Sequence, residues 1–170
     1  MFPTPTGYSA PYFASSLSLD QRTAIIGSHG YTGDTGWAHI FRRDEGGADN
    51  WGRVAEFTGS GSTPGARFGE SVSVNGNTAV VGAPRDEDYG IEVGSAYVFE
   101  RDPDTGSWRQ MAKLNSADGG VGDEFGWSVL VLQNTVIVGA PSAFLGGAAY
   151  VFRRDSGGPD HWGEVLKLTG

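Results

Sequence analysis

The sequence predicts an all-β fold assembled from a repeated four-stranded unit, and two observations carry that prediction. The first is a recurring stretch. Residues 68–84, FGESVSVNGNTAVVGAP, return at 125–141 as FGWSVLVLQNTVIVGAP, and both Phe68 to Phe125 and Gly82 to Gly139 span 57 residues. A weaker copy, FASSLSLDQRTAIIGSH, fills 13–29, with Phe13 and Gly27 each 55 residues ahead of their counterparts. A fixed period of this size marks units that cannot bury their apolar faces alone and must stack. The second is composition. The chain holds 28 glycines in 170 residues, with valine and aromatic side chains set between turn residues, and no stretch sustains a capped helical period.

Residues 1–12 are proline-rich and read as a connector. The repeats then run over about 13–67, 68–124 and 125–170, one domain across 1–170. Each holds four strand-like pieces. In the first, Val72 and Val74 share a face and Ser71 and Ser73 the other, as alternation in a strand requires. The copies are Leu17 and Leu19, then Val129 and Val131. Asn75-Gly76 follows, a pair suited to the positive φ of a tight hairpin. The second piece, 78–81, is a continuous apolar run, which predicts a strand buried on both faces. Gly-Ala-Pro ends it. The third piece carries Tyr97-Val-Phe99, echoed by Tyr150-Val-Phe152 and His39-Ile-Phe41. A charged turn comes next, and a tryptophan opens the fourth piece each time, at Trp51, Trp108 and Trp162.

Four short antiparallel strands per period of about 55 residues describe the blade of a β-propeller. A single twelve-stranded sandwich would give no reason for the same side chains to return at a fixed interval. The expected fold is therefore a β-propeller with three four-stranded blades per chain, closed by oligomerisation.

The balance of charge is −8 and the chain has no cysteine. The first argues against a surface that tracks phosphates, so no nucleic acid is expected, and the second removes thiolate chemistry. No apolar run is long enough to span a bilayer, so no membrane insertion is expected, and the first residues show no signal peptide.

At Phe68-Gly69 with 82–84, and Phe125-Gly126 with 139–141, the chain resembles the FG-GAP repeat of integrin α-subunit propellers and their bacterial relatives. The likeness spans nearly the whole chain. The first repeat departs from the pattern, with Ala14 for the glycine and Gly27-Ser28-His29 for Gly-Ala-Pro. The resemblance implies an adhesion or interaction module, commonly extracellular or on the cell surface, with the Phe-Gly strand nearest the propeller axis. Many such repeats carry an aspartate-rich calcium loop between the two motifs. Here that place holds turns too short and too poor in carboxylates for the six to eight oxygens calcium takes, so neither calcium nor any other cofactor is expected there.

The acidic set 86–92 is the one place left for a hard cation, through Asp86, Asp88 and Glu92. It lies in a loop about four residues longer than its counterpart, although a solvated acidic loop tip accounts for it as well. Trp51, Trp108 and Trp162 recur in register and read as packing residues. Trp37 and Trp127 instead replace Ser95 and Glu70, and a large aromatic at a variable position is a better ligand candidate. His29, Tyr31 and Asp34 replace the proline turn and form a second candidate patch, but no nucleophile or third partner accompanies them. The expected function is a non-catalytic interaction module that binds a protein or glycan through loops on one face. The alternatives are a structural assembly or fragment without ligand, and a propeller-type hydrolase. Three blades are too few to close a ring, since propellers have about four to eight. Eight residues follow Trp162 and twelve precede Phe13, close to the 17-residue internal interval between tryptophan and Phe-Gly. A homodimer with six blades is the expected assembly, and the alternative is a three-blade fragment of a longer, seven-bladed chain.

Overall fold

The computed structural model describes residues 12–30, 35–88, 90–143 and 146–170. Three four-stranded antiparallel sheets follow one another along the chain. Blade one holds β1 (Ser16–Asp20), β2 (Thr23–Ser28), β3 (Trp37–Arg43) and β4 (Trp51–Phe57), in that spatial order. Blade two begins with β5 (Ser71–Asn75) and β6 (Thr78–Ala83). A short hairpin, β7 (Glu87–Asp88) and β8 (Ile91–Glu92), leads to β9 (Ser95–Arg101) and β10 (Trp108–Leu114). Blade three is β11 (Ser128–Leu132), β12 (Thr135–Ala140), β13 (Ala148–Arg154) and β14 (Trp162–Thr169). The pairing is that of a meander, each strand beside the next along the chain except where the separate β7–β8 hairpin stands between β6 and its partner β9.

The fourth strand carries the same irregularity in every blade. Register shifts between Ile40 and Phe41, between Gln110 and Ala112, and between Val151 and Phe152 leave Val54, Met111 and Val165 without a partner. An extra residue at this point bends the outer strand and increases its twist.

Two apolar cores fill the spaces between blades, not within them. Ile25, Ala38, Ile40 and Phe57 of blade one meet Phe68, Val72, Val74, Val81, Tyr97 and Phe99 of blade two. Val80, Ala96, Val98 and Leu114 on the other face of blade two meet Phe125, Val131, Val136, Val138, Tyr150 and Phe152. Among the described residues only the middle blade is covered on both sides. Accordingly β6 is buried at all six positions, as its unbroken apolar run predicts, while β2 and β12 alternate between buried and half-buried. The recurrent tryptophans follow the same logic. Trp162 is in the second core and Trp108 packs on the first, edge-on to Phe57, whereas Trp51 has no blade before it among the described residues and is exposed.

The first strands stand nearest one another across the joints. Ser18 Oγ accepts the N–H of Val74 at 3.2 Å, and Ser73 Oγ accepts that of Val131 at 3.0 Å. This is the axis-proximal placement expected for the Phe-Gly strand.

Candidate ligand-binding face

The Phe-Gly motif builds one end of each blade by a double left-handed turn. Tyr12, Arg67 and Glu124, directly before the phenylalanine, all have positive φ, and so do Ala14, Gly69 and Gly126 directly after it. The turn is closed by N–H groups of Ser15, Glu70 and Trp127, which donate to the carbonyls of Tyr12, Arg67 and Glu124. It drives the phenylalanine inward. Phe68 and Phe125 are fully buried, each edge-on to the tyrosine of its own blade at 5.3 and 5.4 Å. The residue after the motif faces the end of the propeller, where three blades contribute different side chains.

Those side chains form a chain of contacts from blade one to blade three. Tyr12 stacks on His29 with ring centroids 4.8 Å apart. His29 Nδ1 lies 3.5 Å from Glu70 Oε2, which also pairs with Arg67 at 2.9 Å. The Arg67 guanidinium stands 6.0 Å from the centre of the Trp127 ring. Trp127 is 43% exposed and Trp37, opposite Ser28 at the same end of blade one, is 41% exposed. Thus His29, Trp37 and Trp127 share one end of the sheets. Tyr31 and Asp34 lie outside the described residues. Glu70 and Arg67 were not singled out from the sequence. Position supplied the signal that could have found them: Glu70 is the counterpart of Trp127, and Arg67 stands directly before Phe-Gly.

The acidic set 86–92 does not converge on one centre. The hairpin β7–β8 points Asp86, at its base, into the joint between blades, while Glu92 faces solvent near Arg85. Asp86 is fully buried and fully used. Its Oδ1 accepts the N–H and hydroxyl of Thr63 at 2.9 and 3.1 Å, and its Oδ2 accepts the Tyr97 hydroxyl at 2.5 Å and pairs with Lys113 Nζ at 2.9 Å. Burial pushes this carboxyl up, but those donors outweigh burial and hold it below the ordinary carboxylate range. The conditional cation site at Asp86, Asp88 and Glu92 is therefore corrected to a structural anchor: a buried aspartate with both oxygens engaged by Thr63, Tyr97 and Lys113 has none free for a cation. Among the described residues no three His, Asp or Glu side chains are grouped to hold a metal ion.

The other polar residues on the third and fourth strands form cross-strand pairs in the same place. Tyr150 and Lys167 are register partners and share Asp118, at 3.0 and 2.6 Å. His39 and Glu56 are register partners at 3.2 Å.

The FG-GAP repeat model matches residues 51–99 and 108–152. Each matched segment starts at the tryptophan of one blade and ends at the Phe99 or Phe152 position of the next, so the family unit straddles the blade boundary. Among solved structures, the chain is similar to Sqt1 of Saccharomyces cerevisiae (13% identity, TM-score 0.58, 92% of this chain) and to the periplasmic gluconolactonase PpgL of Pseudomonas aeruginosa (16%, 0.51, 84%). It spans 35% and 39% of those two chains, so the likeness is one of fold. A search of curated proteins returns no match.

Proposed function

The chain belongs to the FG-GAP repeat family, and on that premise we propose that it is a non-catalytic interaction module of the adhesion type, binding a protein or glycan through the loops at its Phe-Gly end. The observation that carries this reading is the pair Trp37 and Trp127, two tryptophans over two-fifths exposed, at positions where other repeats have serine, alanine or glutamate. An indole left half in solvent beside Arg67, His29 and Glu70 offers an apolar face together with hydrogen-bonding groups, which suits a sugar ring or a polar peptide. Against a hydrolase, the aspartates with clearly lowered protonation are held by strand pairs or by turn N–H groups, as Asp86, Asp118 and Asp102 are. FG-GAP repeats typically occur in extracellular proteins, and an extracellular or surface location is part of this reading.

A glycan array and a protein-ligand screen, run beside a broad hydrolase screen, test it. The expected result is binding without turnover, weakened about tenfold or more by Trp37→Ala combined with Trp127→Ala. Turnover by homogeneous protein, or binding indifferent to both substitutions, would overturn it.

A further inference from the structure

Each internal joint between blades is made at the same places. Ser16 Oγ donates to Gly69 O at 2.8 Å, and Ser71 Oγ donates to Gly126 O at 2.8 Å. Gly36 bridges Phe68, and Gly94 bridges Phe125. Gly27 and Gly82 are bare because the incoming carbonyl fills the space: a Cβ there would meet Gly69 O at 2.1 Å and Gly126 O at 2.0 Å. Nearer the axis, Ser18 and Ser73 receive the N–H groups of Val74 and Val131.

Blade three keeps the receiving half of this joint with no blade described in it. Ser128, Gly139 and Gly147 stand where Ser71, Gly82 and Gly94 stand in blade two. A Cβ on Gly139 would meet only its own blade, with Ser128 Oγ nearest. With Trp127, Pro141 and Leu168 these residues line an open groove of about 470 Å³. Nearer the axis the series changes. Leu130 replaces the hydroxyl of Ser18 and Ser73, and Leu132 replaces Asp20 and Asn75. On the opposite, uncovered face of blade one, Leu17 and Leu19 replace Val72 and Val74. The valines are 8% and 5% exposed, whereas Leu17, Leu19, Leu130 and Leu132 are 72, 63, 54 and 61% exposed.

The two open faces match each other better than either matches an internal joint. By the internal register Leu130 falls opposite Leu19, an apolar pair where the internal joints have serine and backbone. Ala14 stands where Gly69 and Gly126 stand, and a Cβ at those glycines lies 2.3 and 2.2 Å from the carbonyls of Trp37 and Ser95. Blade one therefore cannot enter an internal joint; it needs a wider one, and leucines on both faces set a wider spacing. Phe13 is already placed for it, 5.6 Å from His39, where Phe68 lies 5.3 Å from Tyr97.

We propose that these faces bind each other between two copies of the chain, the last blade of one copy receiving Phe13 and Leu19 of the other. The joint occurs twice about a two-fold axis and closes a ring of six blades. This assembly is independent of the ligand reading, and either can fail alone.

Sedimentation equilibrium tests it through complementation. The wild type is expected at twice 17.9 kDa. Leu19→Lys and Leu130→Glu, each alone, place a charge in both joints and should weaken association by at least about tenfold. Mixed in equal amounts they should form dimers again, because the mixed pair has one unaltered joint and one lysine–glutamate joint. Circular dichroism on each variant shows that it is folded. A wild type that stays monomeric at micromolar concentration or aggregates without a defined stoichiometry, as a piece needing further blades of a longer chain would, overturns the proposal. So does a dimer insensitive to both substitutions, or a mixture of folded variants that remains monomeric.

Discussion

Blades two and three solve one electrostatic problem with carboxylates from different loops. In both, the antiparallel register sets a tyrosine of the third strand beside a lysine of the fourth, Tyr97 with Lys113 and Tyr150 with Lys167. In both, the ammonium lies over the ring, at 5.7 and 5.1 Å. Blade two takes its carboxylate from Asp86, in the hairpin after the Gly-Ala-Pro strand, and the position equivalent to Asp86 in blade three is the buried Ala143. Blade three takes it from Asp118, in the connector before Phe-Gly, and the equivalent residue in blade two is Gly61. Blade one inverts the pair, with His39 in the tyrosine place and Glu56 in the lysine place. Pairing geometry imposes the neighbours, and any loop that reaches the site can supply the counter-charge. What differs is burial. Asp86 is sealed between two blades, while the Asp118 side chain is over half exposed.

The sharpest way to break this comparison is Asp86→Ala. It removes the closest partner of the Lys113 ammonium, which keeps only the carbonyls of Gly61 and Glu87 at 3.4 Å, and takes from the buried Tyr97 hydroxyl its carboxylate acceptor, a cost of about 3 kcal/mol. A urea titration followed by tryptophan fluorescence measures it, and a loss below a third of that value would mean water replaces the carboxylate. Asp86→Asn refines the test through pH. The folded Asp86 carboxyl sits below its unfolded value, so its contribution is present above about pH 4 and is lost as pH falls through the folded value. Tyr97 works at the other end. Burial, then Asp86, raises its hydroxyl, so that contribution is present below about pH 10 and is lost as pH rises beyond it. The asparagine variant should therefore lose stability at neutral pH and show a flatter acid limb below about pH 4.

A second break uses two equivalent glycines. At Gly82 a methyl group would meet the backbone oxygen of Gly126 in the next blade at 2.0 Å. At Gly139 it would meet Ser128 Oγ at 2.3 Å, a hydroxyl that can rotate away, and no backbone of another blade. Gly82→Ala should therefore cost about 2 kcal/mol, because the two blades must move apart. Gly139→Ala should leave folding of the chain nearly unchanged and weaken association instead. Parallel urea titrations and sedimentation runs separate the two effects. Equal losses of folding stability would show that the close approach of blades is not what the glycine serves.

Much of the fold could be read in advance because stacking imposes strict demands at repeated positions. Gly27 and Gly82 are required because a carbonyl of the next blade passes there, Gly139 recurs at the same place in the third repeat, and the alternation at 71–75 places Val72 and Val74 in the joint. The unbroken run at 78–81 reflects a strand covered by a blade on each side. The site was less legible. Trp37 and Trp127 stand out by replacing smaller or charged side chains, but nothing local in the sequence links Arg67 and Glu70 to Trp127 across blades. Asp86 was the clearest misreading. A carboxylate within a run of acids in an insertion looks like a solvated tip, and its partners Tyr97 and Lys113 lie 11 and 27 residues further on. Only the register of β9 with β10, and the turn that points Asp86 inward, bring the three together.

The smallest expected effect comes from Asp118→Ala, and the comparison needs it as the control for Asp86. The chemistry is the same, with Tyr150 O–H and Lys167 Nζ meeting one carboxylate at 3.0 and 2.6 Å. The lysine hydrogen bond is the main cause that lowers Asp118, and the same bond raises Lys167. Lys167 keeps water as an alternative partner at an open edge, so removing the carboxylate strands no charge. Exposed pairs of this kind are screened by salt and contribute little. Thermal unfolding of Asp118→Ala should therefore stay within about 2 °C of the wild type, and the difference should shrink further in high salt. A drop comparable to that of Asp86→Ala would mean that a further blade covers the outer face of blade three and buries this pair as deeply as its counterpart.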